Sequence, residues 1–257
     1  MNGIGWFSGG VTSAVSIKKA LDYGHSLWIV YMETGSHHPD HQRFIKDCEK
    51  WYGQSITVMK NKKYKDHFDL IEREKYINGP TGARCTLKLK KQIRFDIEPL
   101  YDYDFQVFGF EYDKKQIIRA ERHIEQYPES KAFFPLIEEK LNKDDCMKIL
   151  LDAGIELPMM YRLGYSNSNC IMCVKGGAGY FNKMRKDFPD HFKRMAEIER
   201  KLNNTCLKTK KNGKNVKVFL DELDPEAGRF EDISLPECGV TCPVELLPSD
   251  ILGEDLL

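Results

Sequence analysis

The sequence lacks any apolar run approaching the roughly 20 residues that a membrane-spanning helix needs, so no such helix is expected and no membrane partner is called for. It also lacks net charge. The 39 Lys and Arg residues balance 39 Asp and Glu, which removes the global field of a protein built chiefly to coat nucleic acid and leaves only local basic surfaces for such a partner. Residues 1–7 show no basic segment, apolar stretch and cleavage site, and run straight into a Gly-rich turn, so the chain reads as cytoplasmic. In that setting the eight cysteines point to reduced thiols or a metal site before a disulfide framework. Internal repeats are absent too, and 257 residues suffice for one or two domains with a sizeable core.

What is present in the first 110 residues is an alternation of β-branched or aromatic runs with helical patterns, the pattern of a parallel sheet flanked by helices. Ile4 to Phe7 reads as strand one, followed by a turn over residues 8–13 and a helix that stops at Tyr23-Gly24. Strand two is Leu27 to Met32, a helix covers about Pro39 to Tyr52, strand three is Ile56 to Met59, and strand four is Val107 to Phe110. Tyr76 to Arg84 is a loop, and Cys85 stands at the N-terminus of a helix running from Thr86 to Phe95. A helical stretch then reaches Ala153, and Gly154 to Cys173 is too rich in Gly, Pro, Ser and Asn to be one regular element. One long amphipathic helix is expected from Tyr180 to Leu202, and Lys208 to Lys217 reads as a lysine-rich hairpin tip. The expected organisation is a nucleotide-binding domain over 1–175 and a helical, cysteine-containing extension over 176–257.

The turn after strand one carries chemistry. Ser8, Gly9 and Gly10 allow close approach of a phosphate to the backbone, the helix start offers N–H groups and a positive dipole end, and Thr12 and Ser13 add hydroxyls. A Walker lysine and the third glycine of a dinucleotide fingerprint are both missing, so the turn by itself reads equally as structural or phosphate-binding. Among the cysteines, Cys170-Ile171-Met172-Cys173 has the spacing that lets two thiolates face one metal, and Cys238 and Cys242 form a second close pair. Those four suit a structural zinc, with Cys85 merely buried, while Cys48, Cys146 and Cys206 read as ordinary thiols. Arg84, Lys88, Lys90 and Lys91 surround Cys85 and would lower a thiolate pKa or meet phosphate and sulfate oxygens, and Arg119 and Arg122 follow strand four. Of these, Arg84, Lys88 and Arg119 are the candidate anion contacts. His37 and His38 receive no catalytic role.

Taken together, these segments resemble the PAPS (phosphoadenosine phosphosulfate) reductase-like family of the PP-loop superfamily. The turn is similar to that superfamily's Ser-Gly-Gly-x-Asp-Ser loop, with Thr12 at the Asp position, and Glu33-Thr34-Gly35 followed by Pro39-Asp40 resembles its Asp-Thr-Gly segment ending in Pro-Glu. Gly109, Arg119-Ala120, Pro135-Leu136, Gly154-Ile155, Tyr161 and Cys170 follow the family's order and approximate spacing, so the likeness covers about residues 4–175. It implies a five-stranded parallel, doubly wound sheet with an adenine nucleotide (PAPS, APS or ATP) across the carboxyl ends of the strands, contacted by Ser8, Gly9, Gly10, Thr12, Ser13, Thr34, Gly35 and Gly109. Cys85 with Cys170 and Cys173 is similar to the ligand pattern of the iron-sulfur reductases, with Arg84 where a second adjacent cysteine would stand. Glu237-Cys238-Gly239-Val240 resembles the reductases' catalytic core, with Thr241 in place of the following His. The resemblance thus makes Cys238 the nucleophile and Cys242 the fourth ligand of an iron-sulfur cluster, with zinc as the alternative metal.

Three functions are consistent with these residues. The first is a sulfonucleotide reductase whose Cys238 attacks sulfur and is regenerated by a thioredoxin-like reductant. The second is an ATP-dependent adenylyl or sulfur transferase acting on a nucleic-acid base or similar acceptor. The third is a non-catalytic, metal-stabilised nucleotide-binding module.

Overall fold

The computed structural model describes residues 1–79, 82–211 and 213–229. In chain order the elements are β1 (Asn2–Phe7), α1 (Val11–Asp22), β2 (Ser26–Glu33), α2 (His41–Tyr52), β3 (Thr57–Lys60), α3 (His67–Glu74), α4 (Arg84–Thr86) and α5 (Gln92–Ile97). A π-helical segment, Leu87–Lys91, links the last two. Then come β4 (Phe105–Val107), α6 (Lys114–Gln126), β5 (Ala132–Phe133), α7 (Pro135–Glu138), α8 (Lys143–Asp152), α9 (Met159–Arg162), α10 (Ala178–Asp187), α11 (Pro189–Leu202), β6 (Leu207–Lys211) and β7 (Lys214–Val218). They fall into two compact units interleaved in sequence: Met1–Glu33, His38–Lys60 and Ile93–Gly164 in the first, and Thr34–His37, Asn61–Gln92 and the chain from Tyr165 in the second.

The first unit is an α/β structure around five parallel strands in the order β3-β2-β1-β4-β5. The chain builds outward from β1 through β2 to β3, then returns to β1's other side for β4. Such a reversal opens a crevice at the carboxyl ends of the two strands flanking it, here β1 and β4, and ligands of open α/β sheets bind there. Side chains alternate across the strands. Phe7, Ile29, Tyr31 and Val107 join Val15 and Ile17 of α1, Phe44 of α2 and Leu150 of α8 in one core. On the opposite face the Trp6 indole donates to Gln106 Oε1 at 2.8 Å, and Glu98 Oε1 accepts from Gln106 Nε2 and Arg94 Nε, each at 2.6 Å. The Arg94 side chain is 1% exposed and is boxed by the rings of Trp6, Phe95, Phe108 and Tyr127 at 5.3–5.8 Å.

The second unit combines α3, α4, α10 and α11 with the antiparallel β6–β7 hairpin. The expected lysine-rich hairpin is present, with Lys208 directly opposite Lys217. Two expectations need correction. The single helix over Tyr180–Leu202 is two helices, because Pro189 cannot continue the helix before it and Phe188 takes a non-helical conformation, φ −139°. Strand four pairs over Phe105–Val107 instead of Val107–Phe110, because Phe108 and Phe110 turn into an aromatic cluster with Phe134 and His123. Cys206 of the expected cysteine-containing extension is described; Cys238 and Cys242 lie outside the described residues. Among the described residues no helix is long and apolar enough to cross a membrane.

Arg94 Nη1 is buried with no hydrogen-bond partner among the described residues, and Glu98 is the carboxylate that pairs with this cation. Glu98→Ala is expected to lower stability by about 3–5 kcal/mol, since it strands a buried cation. Urea denaturation measures this, and a loss below about 1 kcal/mol would place the pair among those that contribute little.

Candidate functional site

At the carboxyl end of β1 the backbone turns sharply into α1. Ser13 Oγ donates to Gly10 O at 2.9 Å and accepts from Ser8 N at 3.1 Å and Ser8 Oγ at 2.9 Å, closing residues 8–13 into a compact loop. Gly9 has φ +77°, and a Cβ there would lie 2.5 Å from the His41 ring, so both conformation and space call for glycine. Gly10 is the N-cap of α1 and offers no side-chain acceptor to the helix start. The helix thus meets the loop with its dipole uncompensated by a cap carboxylate. Gly109, just past β4, is required for another reason: a Cβ there would stand 2.6 Å from both Ser13 N and Ser13 Cα. The loop residues Ser8, Gly9, Gly10, Thr12 and Ser13 and the distant Gly109 therefore come together, in the switch-point region of the sheet.

A salt-bridge cluster braces this loop. Arg43 binds both oxygens of Asp40, at 2.7 and 2.9 Å, and donates to the carbonyls of Glu156 and Leu157 at 3.0 and 3.1 Å. Asp40 Oδ2 also accepts from Met159 N at 2.7 Å, which fixes the start of α9. The Arg43 guanidinium holds the Asp40 carboxyl below the ordinary carboxylate range. From α9 the Tyr161 hydroxyl accepts from Val11 N at 3.4 Å, tying the distal loop to the first residue of α1. Sequence reasoning matched Asp40 and Tyr161 only by resemblance and missed Arg43, whose contacts span more than 110 positions.

In the second unit Thr34 to His37 meets Cys170 to Met172. Thr34 Oγ1 lies 3.2 Å from Cys170 Sγ, and Ile171 N donates to Ser36 O at 2.9 Å. Gly35 has φ +69°, and a Cβ there would fall 2.0 Å from Lys65 O. Ser36 Oγ accepts from His67 N at 2.9 Å and lies 2.6 Å from His67 Nδ1, while His67 Nε2 lies 3.3 Å from Met172 O. A carbonyl only accepts, so Nε2 carries the proton and Nδ1 accepts from the Ser36 hydroxyl. Met172 itself has φ +61°, a costly conformation for a residue with a side chain, and the His67 bond helps hold it. The Tyr180 hydroxyl accepts from Cys173 N at 2.9 Å and donates to Cys170 O at 3.3 Å, bracing the Cys-x-x-Cys turn from within.

The remaining candidates are divided between the units. Arg84 lies over the Tyr76 ring at 5.9 Å and the Lys88 carbonyl accepts from Asn61, both in the second unit. Arg119 lies over the Phe110 ring at 4.5 Å in the first. Lys90 and Lys91, named around Cys85 but not chosen as anion contacts, are buried on the π-helical segment. Cys48 and Cys146 are buried in the first unit's core, where burial pushes the Cys48 thiol up to about 12. Cys85 and Cys170 are half-buried and Cys173 is buried. Among the described residues no three His, Cys, Asp or Glu side chains are grouped to hold a metal ion. No family model matches the chain, and no curated protein matches it.

Burial lowers the His67 pKa from 6.5 to about 4. The folded state thus resists protonation: the stability is fully present above pH 6.5 and is lost as pH falls toward 4. Between about pH 7.5 and about pH 5 the cost is about 2 kcal/mol, and His67→Gln should flatten that part of the stability profile. Denaturant melts across the range check it; equal slopes in both proteins would contradict the assignment.

Proposed function

We propose that the chain is a PP-loop enzyme of the PAPS reductase-like kind, which binds an adenine nucleotide through the loop at residues 8–13 and acts on a sulfonucleotide through a cysteine. The observation that carries this reading is the closed Ser8–Ser13 loop at the carboxyl end of β1, abutted by Gly109 after β4. The turn itself offers backbone N–H groups and the hydroxyls of Ser8, Thr12 and Ser13, which suit phosphate oxygens. The family likeness also names Thr34 and Gly35 as nucleotide residues and Arg84, Lys88 and Arg119 as anion contacts; of these five, Arg119 alone belongs to the same unit as the loop.

The chemistry assigned to Cys238 conserves atoms and electrons. Its thiolate attacks the sulfur of the adenylyl sulfate, an S–S bond forms, and the S–O bond to phosphate breaks with the nucleotide as leaving group. A dithiol of the thioredoxin type then attacks the cysteine sulfur, releases sulfite and leaves as a mixed disulfide, which its second thiol resolves; the dithiol is oxidised by two electrons.

A second reading, the ATP-dependent transferase acting on a nucleic-acid base, draws support from the β6–β7 hairpin. Lys208 and Lys217 form a like-charged cross-strand pair, and such a pair destabilises a ribbon unless anions offset it. A phosphate backbone supplies such anions.

Gly9→Val should abolish adenine-nucleotide binding in a folded protein, read by calorimetric titration; unchanged affinity would sink the loop assignment. Cys238→Ser should bind adenylyl sulfate with unaltered affinity and release no sulfite with a thiol donor. If wild-type protein ignores adenylyl sulfates but forms pyrophosphate from ATP with a nucleic-acid acceptor, the transferase reading replaces the reductase.

A further inference from the structure

Helix α6 is held to its own unit by little. Of its thirteen residues only Ala120 and His123 are buried, and Arg119 lies over the Phe110 ring on the same side. At 3.6 residues per turn, Lys114, Ile117, Ile118, Glu121, Ile124 and Glu125 share an arc of about 120° that begins beyond Ala120 and His123. Ile118 is 40% and Ile124 50% exposed, and Ile117 is half-buried. Single apolar side chains on a surface are ordinary, so the isoleucines by themselves decide nothing.

The charges around them do. Lys114 and Lys115 occupy the first turn and Glu125 the last, the reverse of what the helix dipole favours. Spacing adds to the cost, since Lys115 has the like charge of Arg119 four positions on and Glu121 has that of Glu125. Isoleucines fill the positions four and three before Glu121 and three after it, so the helix brings no base to that carboxylate. Arg122 stands three positions before Glu125 yet makes no ion pair with it. Among the described residues Lys114, Lys115, Glu121 and Glu125 pair with no opposite charge.

We infer that α6 is a self-association surface, which pairs antiparallel with α6 of a second copy of this chain about a two-fold axis near the middle of the helix. In such a pair Lys114 and Lys115 of each copy come beside Glu121 and Glu125 of the other. The isoleucines close against one another between these charges, and the two helix dipoles run opposed. A two-fold contact must be complementary to itself, and a helix that is basic at one end, acidic at the other and apolar between satisfies that condition. A parallel neighbour would set like charges together, which fixes the direction. The helix is about 20 Å long, so the contact is small and the association belongs to the weak, concentration-dependent class. Pairing through α6 involves the first unit alone and is independent of what the Ser8–Ser13 loop binds.

Sedimentation velocity of the full chain across micromolar to sub-millimolar concentrations tests it. Wild type should pass from monomer to dimer as concentration rises, and amide exchange at residues 114–125 should slow with it. Ile124→Lys, at an exposed position, should raise the dimer dissociation constant about tenfold or more and leave the circular dichroism spectrum unchanged. Two charge-swapped variants, Lys114→Glu with Lys115→Glu and Glu121→Lys with Glu125→Lys, provide a second arm. Each alone should stay monomeric where wild type dimerises, and an equimolar mixture should recover a heterodimer by native mass spectrometry. A folding defect would not be repaired by mixing, whereas restored complementarity would. A dimer that forms without slowing exchange at residues 114–125, a dimer indifferent to Ile124→Lys and to both swaps, or folded swapped variants that do not combine would each overturn the inference. So would a wild type that stays monomeric throughout, which leaves this face to a different protein.

Discussion

The first unit depends on one close approach of backbone to backbone, where the first turn of α1 passes the end of β4 at a distance no Cβ would permit. Because Gly109 leaves that space open, α1 starts directly at the carboxyl end of the central strand and the Ser13 hydroxyl can close the loop onto Ser8 and Gly10. The helix dipole and the loop amides then point at one small region. Arg43 and Asp40 extend the same constraint outward, since their bonds fix α9 and place the Tyr161 hydroxyl on the first amide of α1. A phosphate arriving there would meet donors already held in position, which limits the ordering cost of binding.

The second unit uses a different device, buried or half-buried polar groups that each join two segments. His67 joins Ser36 to Met172, Tyr180 joins Cys170 to Cys173, Asn78 joins Val174 to Cys206, and Glu199 joins Cys206 to Leu220. Each such group would be costly if left half-satisfied, so together they fix the cysteine-bearing loops in one arrangement. Rigid presentation of thiols is what a metal centre or a thiol-based reaction requires.

Much of this architecture is legible in the sequence because it is written locally. Ile4 to Phe7 followed by Ser-Gly-Gly announces strand, turn and helix, and the helix expected to end at Gly53 does so with that glycine at φ 71°. Other elements are set by distant partners. β5 is two residues long and exists through its pairing with β4, a signal too short for periodicity. Pro189 was a readable break that the continuous apolar stripe from Phe181 to Ile198 concealed. Glycines 9, 35 and 109 were legible as candidates, yet their necessity appears only in the distances to His41, Lys65 and Ser13. His67, Tyr180, Arg43, Asn78 and Glu199 carry no motif at all, since their roles come from bonds spanning from 7 to more than 100 positions.

The central claim is that the loop from Ser8 to Ser13 is where an adenine nucleotide's phosphates bind. Hydrogen-deuterium exchange of the backbone amides, with and without adenosine 5′-phosphosulfate or ATP, tests it most directly. The account expects ligand-dependent slowing concentrated in the amides of residues 9–14 and around Gly109, with the β6–β7 hairpin unchanged. Saturating nucleotide that leaves residues 9–14 exchanging at their free rate would contradict it.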